Sequence, residues 1–198
     1  MQPATSAAPV RSQPAYAPLA WDPLGRTHLL LLDTRDPAAA ALVARLAMSA
    51  PSAALQVITC GPAGVLQDLA SARHTAAATP AEAVDALEAA LARACMGLRL
   101  YLAGPEDLLW QASRVAAAAG LGEDVIRRER LGPPARPLWC VHCRHRHPAV
   151  RESLQVCEGC GRTLLVRDHF SRRLGAYMGV QADAEVPGLL PEVRELES

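Results

Sequence analysis

Apolar positions over residues 26–132 fall in short continuous runs separated by longer stretches of helical character. Residues 28–33 (HLLLLD) are an unbroken apolar run ending in an acid, the pattern of a strand buried on both faces. Residues 36–49 are rich in Ala and Leu and predict a helix, with Pro37 suited to its first turn. LQVITC over 55–60 predicts a second strand, closed by Gly61-Pro62. A short helix over 64–73 and a weak third strand over 74–78 follow. Thr79 is placed to cap a long helix that Pro80 opens and that runs to about Cys95. LRLYLA over 98–103 predicts a fourth strand, Gly104-Pro105 a turn, and residues 106–119 a further helix ended by Gly120.

Strands alternating with helical stretches of this length imply a parallel sheet covered on both faces, because parallel neighbours need a crossover connection. The expected fold class is therefore α/β: a Rossmann-like parallel sheet domain over 26–132, followed by a small zinc-ribbon-like β module over 137–198. The proline-rich run 132–137 (GPPARP) marks the boundary. Residues 1–25 carry Pro3, Pro9, Pro14, Pro18 and Pro23 and read as an extended N-terminal arm, loose or laid across a partner, with Tyr16, Leu19 and Trp21 able to pin it.

Composition narrows the function. Of 198 residues, 51% are hydrophobic and 20% charged, so a buried core is within reach, and the formal net charge of zero removes any global pull toward nucleic acid or anionic membrane. All twenty basic residues are Arg. Without lysine the chain has neither a P-loop lysine nor a Schiff-base lysine. No apolar run approaches the roughly 18–20 residues of a membrane span, and residues 1–18 lack the apolar core of a secretory signal. A cytoplasmic protein is expected, and its cysteine usage agrees.

Four of the six cysteines stand in two C-x-x-C pairs: Cys140 and Cys143, then thirteen residues, then Cys157 and Cys160. Each pair sets two thiolates on one tight turn, and two turns close a tetrahedron around one ion. Gly161 suits the positive φ that such a turn requires. The polar, Arg-rich loop between the pairs, with Trp139 the sole aromatic nearby, favours a structural zinc. An iron tetrathiolate is the alternative, and would make the module an electron carrier. His142, His145 and His147 lie close by and read as solvent-facing groups, supports for the ligands or interface residues. Cys60 and Cys95, inside apolar segments, are expected in the core, and His28 and His74 as ordinary partly buried residues. Ser171 beside His169 and Asp168 is no triad, since sequence neighbours rarely point into one site. No catalytic residue is assigned.

Ligands of doubly wound sheets bind beyond the carboxyl ends of the strands, at a glycine-rich first turn where backbone can approach a phosphate. Here the first strand runs into Asp33-Thr34-Arg35-Asp36-Pro37, with no glycine and two carboxylates that repel phosphate. The segment Tyr101-Leu102-Ala103-Gly104-Pro105-Glu106, followed by Gly120-Leu121-Gly122 and by Val125-Ile126-Arg127-Arg128-Glu129, resembles the end of the nicotinamide-binding module of ferredoxin reductases. Ala103 stands where that family has a cysteine. The resemblance, with the altered first turn, implies a reductase-type domain that has lost its cofactor and serves in docking.

Between Arg127 and Arg173 there are eleven Arg against four acids, and from Leu174 onward five acids against Arg194. A nucleic-acid surface would interleave such arginines with base-stacking aromatics, which this stretch does not. Phe170, Tyr177 and Met178, set among Gly and Arg, read as a segment packed on a partner.

The Cys157-Glu158-Gly159-Cys160-Gly161 knuckle, with Asp168-His169-Phe170-Ser171-Arg172-Arg173-Leu174 and Ala176-Tyr177-Met178-Gly179-Val180, resembles the DmmA subunit of bacterial dimethylamine monooxygenase. The likeness reaches upstream to residues 21–32. It implies an accessory subunit of a hetero-oligomeric, NADPH-dependent oxidoreductase of methylamine metabolism, which N-demethylates dimethylamine to methylamine and formaldehyde. In that picture a haem-oxygenase-type subunit performs the chemistry and a flavin/iron–sulfur reductase subunit supplies electrons. Haem, FMN, the iron–sulfur cluster and NADPH then belong to the partners and not to this chain. Two other readings stay open on the residues alone: an electron-transfer protein using iron or a residual nucleotide site, and a zinc-ribbon adaptor for nucleic acid.

Overall fold

The computed structural model describes residues 12–51, 54–67, 69 and 73–196. The first eleven residues of the expected arm, and residues 68 and 70–72 of the helix expected over 64–73, lie outside them.

Five parallel strands form the first sheet: β1 (Thr27–Asp33), β2 (Ala54–Cys60), β3 (Arg73–Ala77), β4 (Leu98–Gly104) and β5 (Ile126–Arg130), in the order β3-β2-β1-β4-β5. Successive side chains on a strand point to opposite faces, so β1 feeds two cores. Leu30 and Leu32 pack with α1 (Ala38–Ala47) through Leu42, Val43 and Leu46. Leu29 and Leu31 pack with α2 (Pro80–Leu91) and α3 (Glu106–Ala118) through Leu87, Leu108 and Leu109. An unbroken run of leucines is what a strand covered on both sides needs, which confirms the α/β, Rossmann-like fold expected from it.

Local differences have physical causes. Where a helix was expected over 64–73, the described residues hold one 3-10 turn, Ala63–Leu66, and β3 already begins at Arg73. β3 is an edge strand with residues 73–76 exposed, which explains its weak sequence signal. Thr79 caps α2 as expected: its hydroxyl accepts the Glu82 backbone N–H, and the Glu82 carboxylate accepts that of Ala78. The helix stops at Leu91, short of Cys95, before Gly97 turns the chain with φ 95°. Cys95 is therefore exposed, against the expectation of a core residue, whereas Cys60 is buried.

The second sheet contains β6 (Arg136–Cys140), β7 (Arg146–Val150), β8 (Leu154–Val156), β9 (Thr163–Ser171) and β10 (Ala176–Gln181), in the order β7-β6-β10-β9-β8. Only β6 and β10 run parallel; the other neighbours are antiparallel. Its core is completed from the first body. Trp110 of α3, 2% exposed, joins Leu138, Val150, Leu164, Phe170 and Tyr177 in one cluster. The Trp110 and Phe170 ring centroids lie 4.7 Å apart, and Phe170 and Tyr177 meet edge to face at 4.9 Å. Arg146 of β7 reaches the Asp107 carboxylate at the start of α3 and the carbonyls of Leu174 and Gly175. Phe170 and Tyr177, expected on a partner, are thus consumed inside the chain.

The described part of the arm is also docked at home rather than across a partner. Leu19 is buried, Trp21 Nε1 donates to the Leu46 carbonyl at 2.9 Å, and the Tyr16 hydroxyl donates to Glu106 and accepts from Trp110 Nε1. The expected pinning by Tyr16, Leu19 and Trp21 holds, with the chain's own surface as the anvil.

Candidate metal centre and the strand-end crevice

Two matching turns assemble the cysteines. Cys140 ends β6, and Arg144 N–H returns to its carbonyl at 2.9 Å; Cys157 follows β8, and Gly161 N–H returns to its carbonyl at 2.8 Å. The residue closing each turn has positive φ, 72° at Gly161 and 65° at Arg144. Glycine adopts this conformation without strain, while Arg144 is the one non-glycine residue to do so among those described. The two turns approach closely because Gly159 has no side chain: a Cβ there would lie 2.9 Å from Cys143 Sγ and 2.8 Å from His145 Cβ.

All four sulfurs fall within 4.8 Å of one another. Cys140 Sγ and Cys160 Sγ are 3.8 Å apart, Cys143 Sγ and Cys157 Sγ 3.5 Å. Four thiolates about 2.3 Å from one ion at tetrahedral angles would be separated by about 3.8 Å, so the cluster fits a single metal ion. Two of the thiols are driven in opposite directions. The Arg162 backbone N–H leads in pulling Cys160 down to about 6. At Cys143 the His145 backbone N–H pulls down, but desolvation and hydrogen bonds with the other three sulfurs prevail and push it up to about 12. A divalent cation removes that conflict by letting all four carry charge. The expected ligand set, Cys140, Cys143, Cys157 and Cys160, is thus brought together whole. Of the nearby histidines His142 is exposed, whereas His147, 3% exposed, is not solvent-facing, which leaves for it the reading of a support for the ligands or an interface residue.

At the corner of the first sheet beyond the strand ends the chain places an ion pair. Strand order reverses between β1 and β4. At that switch point Asp33, 2% exposed, accepts the backbone N–H and Nε of Arg35, at 3.0 and 2.9 Å. The Arg35 side chain lies over Gly61, whose hypothetical Cβ would come within 2.7 Å of it, and Asp33 Cβ would stand 3.0 Å from one at Gly104. Both glycines make room for this ion pair.

Beyond β4 and β5 the arm crosses the remaining opening. The Leu19 backbone N–H donates to Glu129, which also receives Arg45, and Tyr16 and Tyr177 both donate to Glu106 Oε1. A cleft of about 690 Å³ remains between residues 13–18, Glu106, Arg130, Arg136, Arg172 and Tyr177. Glu106 is 2% exposed and its Oε2 has no hydrogen-bond partner. Burial raises its pKa above 4.5, against the pull of the two tyrosine hydroxyls and of Arg130 and Arg136. The sequence signalled Glu106 only as the residue after a strand-end Gly-Pro; its burial depends on Tyr16 and Tyr177, 90 and 71 positions away.

A Rossmann-like body sharing its α3 tryptophan with a four-cysteine β module defines the class of molecule. Residues 8–126 match the family described as "Dimethylamine monooxygenase subunit DmmA-like, N-terminal domain", and residues 137–180 match the corresponding C-terminal domain. The chain belongs to the dimethylamine monooxygenase subunit DmmA-like family. It is 45% identical over 101 residues to the "Heme-dependent oxidative N-demethylase delta subunit" of Ectopseudomonas mendocina (strain ymp), covering 51% of this chain and 58% of that protein. The match therefore spans less than two thirds of the relative's length. Among solved structures, the ferredoxin reductase of carbazole 1,9a-dioxygenase is similar over 58% of this chain and 34% of that one, with 20% identity and a TM-score of 0.39. An intact type IV self-sufficient cytochrome P450 monooxygenase is similar over 85% of this chain and 22% of that one, with 12% identity and a TM-score of 0.41. No helix among the described residues is long and apolar enough to cross a membrane.

Proposed function

We propose that this chain is a non-catalytic subunit of a cytoplasmic, NADPH-dependent dimethylamine monooxygenase, holding a haem-oxygenase-type subunit and a flavin/iron–sulfur reductase subunit together. The complex converts dimethylamine to methylamine and formaldehyde with oxygen; haem, FMN, iron–sulfur cluster and NADPH reside in the partners. Family membership and the demethylase relative support the assembly. The observation that carries the accessory role is the Asp33–Arg35 ion pair after the first strand, where a dinucleotide site would have a glycine-rich turn. A zinc ion on Cys140, Cys143, Cys157 and Cys160 orders the β module, whose own core is small.

Co-expression with the candidate oxygenase and reductase subunits, followed by size exclusion and a demethylation assay, tests this. The chain should co-elute with both, and its omission should abolish or sharply reduce NADPH-coupled formaldehyde release. If it elutes alone and the others are fully active without it, the subunit role is wrong. NADPH should not bind the isolated chain at concentrations that saturate the reductase.

The exposure of Cys143 favours one alternative, an iron tetrathiolate passing electrons at the surface. Elemental analysis with a visible spectrum separates the two: one zinc and no colour support the scaffold, stoichiometric iron and a red protein the carrier.

A further inference from the structure

Three side chains beside the cysteine cluster have no part in the site described above. His145 immediately precedes β7 and His147 lies within it, two residues on, and their rings meet at 4.7 Å between centroids. Arg146 between them points away and ties β7 to Asp107. Glu158 comes from the other cysteine turn and places a carboxylate oxygen 3.4 Å from His145 Nε2. One donor atom from each of His145, His147 and Glu158 falls within 4.8 Å of the others. Gly159 allows this meeting, since a Cβ there would collide with His145 Cβ at 2.8 Å and Cγ at 3.1 Å. His147 is 3% exposed, and its Nε2 has no hydrogen-bond partner. Buried side-chain nitrogens of this kind are rare and call for an explanation.

We propose that His145, His147 and Glu158 form a second metal site, distinct from the four cysteines, for a divalent first-row transition ion. Two imidazoles and one carboxylate suit borderline ions of the zinc, cobalt and nickel type, whereas magnesium and calcium call for oxygen ligands throughout. The 3.4 Å separation of His145 Nε2 and Glu158 Oε2 is about the tetrahedral edge for ligands roughly 2.1 Å from an ion. Small rotations of the exposed Glu158 and half-buried His145 bring both onto an ion held by the fixed His147. Three protein donors leave a coordination position open to water or to a donor on another subunit. Such an ion joins the first cysteine turn, β7 and the second turn, so it braces the two turns independently of the thiolates.

The test uses the full chain with its cysteines filled by one equivalent of zinc, titrated with excess cobalt(II). Uptake of one cobalt per chain with retention of the zinc is expected, with weak d–d absorption and no thiolate-to-cobalt charge-transfer band. His145→Ala and Glu158→Gln, both at solvent-accessible positions, should each weaken cobalt binding at least about tenfold. His142→Ala should leave it unchanged. Saturation with zinc alone, cobalt appearing only with a charge-transfer band as zinc is displaced, or uptake unchanged in both variants would each overturn the second site. Zinc content and circular dichroism of the variants confirm that the cysteine module is intact, so a loss of cobalt reports this site and not unfolding.

Discussion

The carboxyl corner of the first sheet and the cysteine cluster of the second both resemble ligand sites on sequence grounds, and the chain treats them oppositely. At the corner, the fold supplies the crevice and the residues at its edge pair with one another: Asp33 holds Arg35, and the arm docks on Glu129. At the cluster, the fold contributes little and the residues do everything, with four sulfurs at 3.5 and 3.8 Å across two turns. The difference shows that function follows side chains grafted onto a fold rather than the fold itself.

The largest expected effect lies at the cluster. Cys157→Ser should lower metal affinity at least about 100-fold, and chelation should melt the second sheet. Hydrogen exchange would show lost protection across β6 to β10 with β1 and β4 still protected. Equal loss in both sheets would mean that the two regions fold as one.

Next comes Trp110, the residue through which the two regions share a core. Trp110→Ala should cost about 3–5 kcal/mol by cavity formation, read as a shift in denaturant midpoint. It should also free the Tyr16 hydroxyl of one partner. A cost well under 2 kcal/mol would make the seam incidental.

The corner gives a pH signature. Burial raises the Glu106 pKa in the folded chain, so its contribution to stability is fully present below the ordinary value of 4.5 and is lost as pH rises through the folded value. Glu106→Gln keeps an acceptor for Tyr16 and Tyr177 but cannot ionise. The Tm advantage of Glu106→Gln over the wild type should therefore grow between about pH 4 and pH 8; a constant difference would show that Glu106 stays neutral or is well solvated.

The smallest effects compare the two cysteine turns. Gly161→Ala meets no neighbour, so its cost is the backbone alone, about 1 kcal/mol. Arg144→Gly, at the equivalent position, should be neutral or stabilising by a similar amount. Denaturation of the zinc-loaded protein measures both, and opposite signs would establish the turns as equivalent.

Much of this was legible in the sequence for reasons that can be stated. A strand covered on both faces must be apolar at every position, so HLLLLD announced itself; an edge strand such as β3 need not be, and it was faint. The cysteine cluster is built from two local turns, so Cys-x-x-C spacing alone foretold that Cys140, Cys143, Cys157 and Cys160 would meet. Cys95 went astray because helix length depends on where packing ends, which local pattern does not record.

What tertiary structure alone decided is which surfaces the chain keeps for itself. Phe170 and Tyr177 look like contact residues in sequence, and they are, but their contact is Trp110 of the same chain. Of the eleven arginines between Arg127 and Arg173, Arg128, Arg130, Arg136 and Arg146 are half-buried, with Arg128 over the Trp110 ring and Arg146 on Asp107. The same limit applied to Glu106, the docked arm, and the meeting of His145 and His147 with Glu158. Local pattern specifies turns and strand faces because the backbone geometry there is periodic. It cannot specify which distant face arrives opposite, because that is fixed only when the two sheets pack.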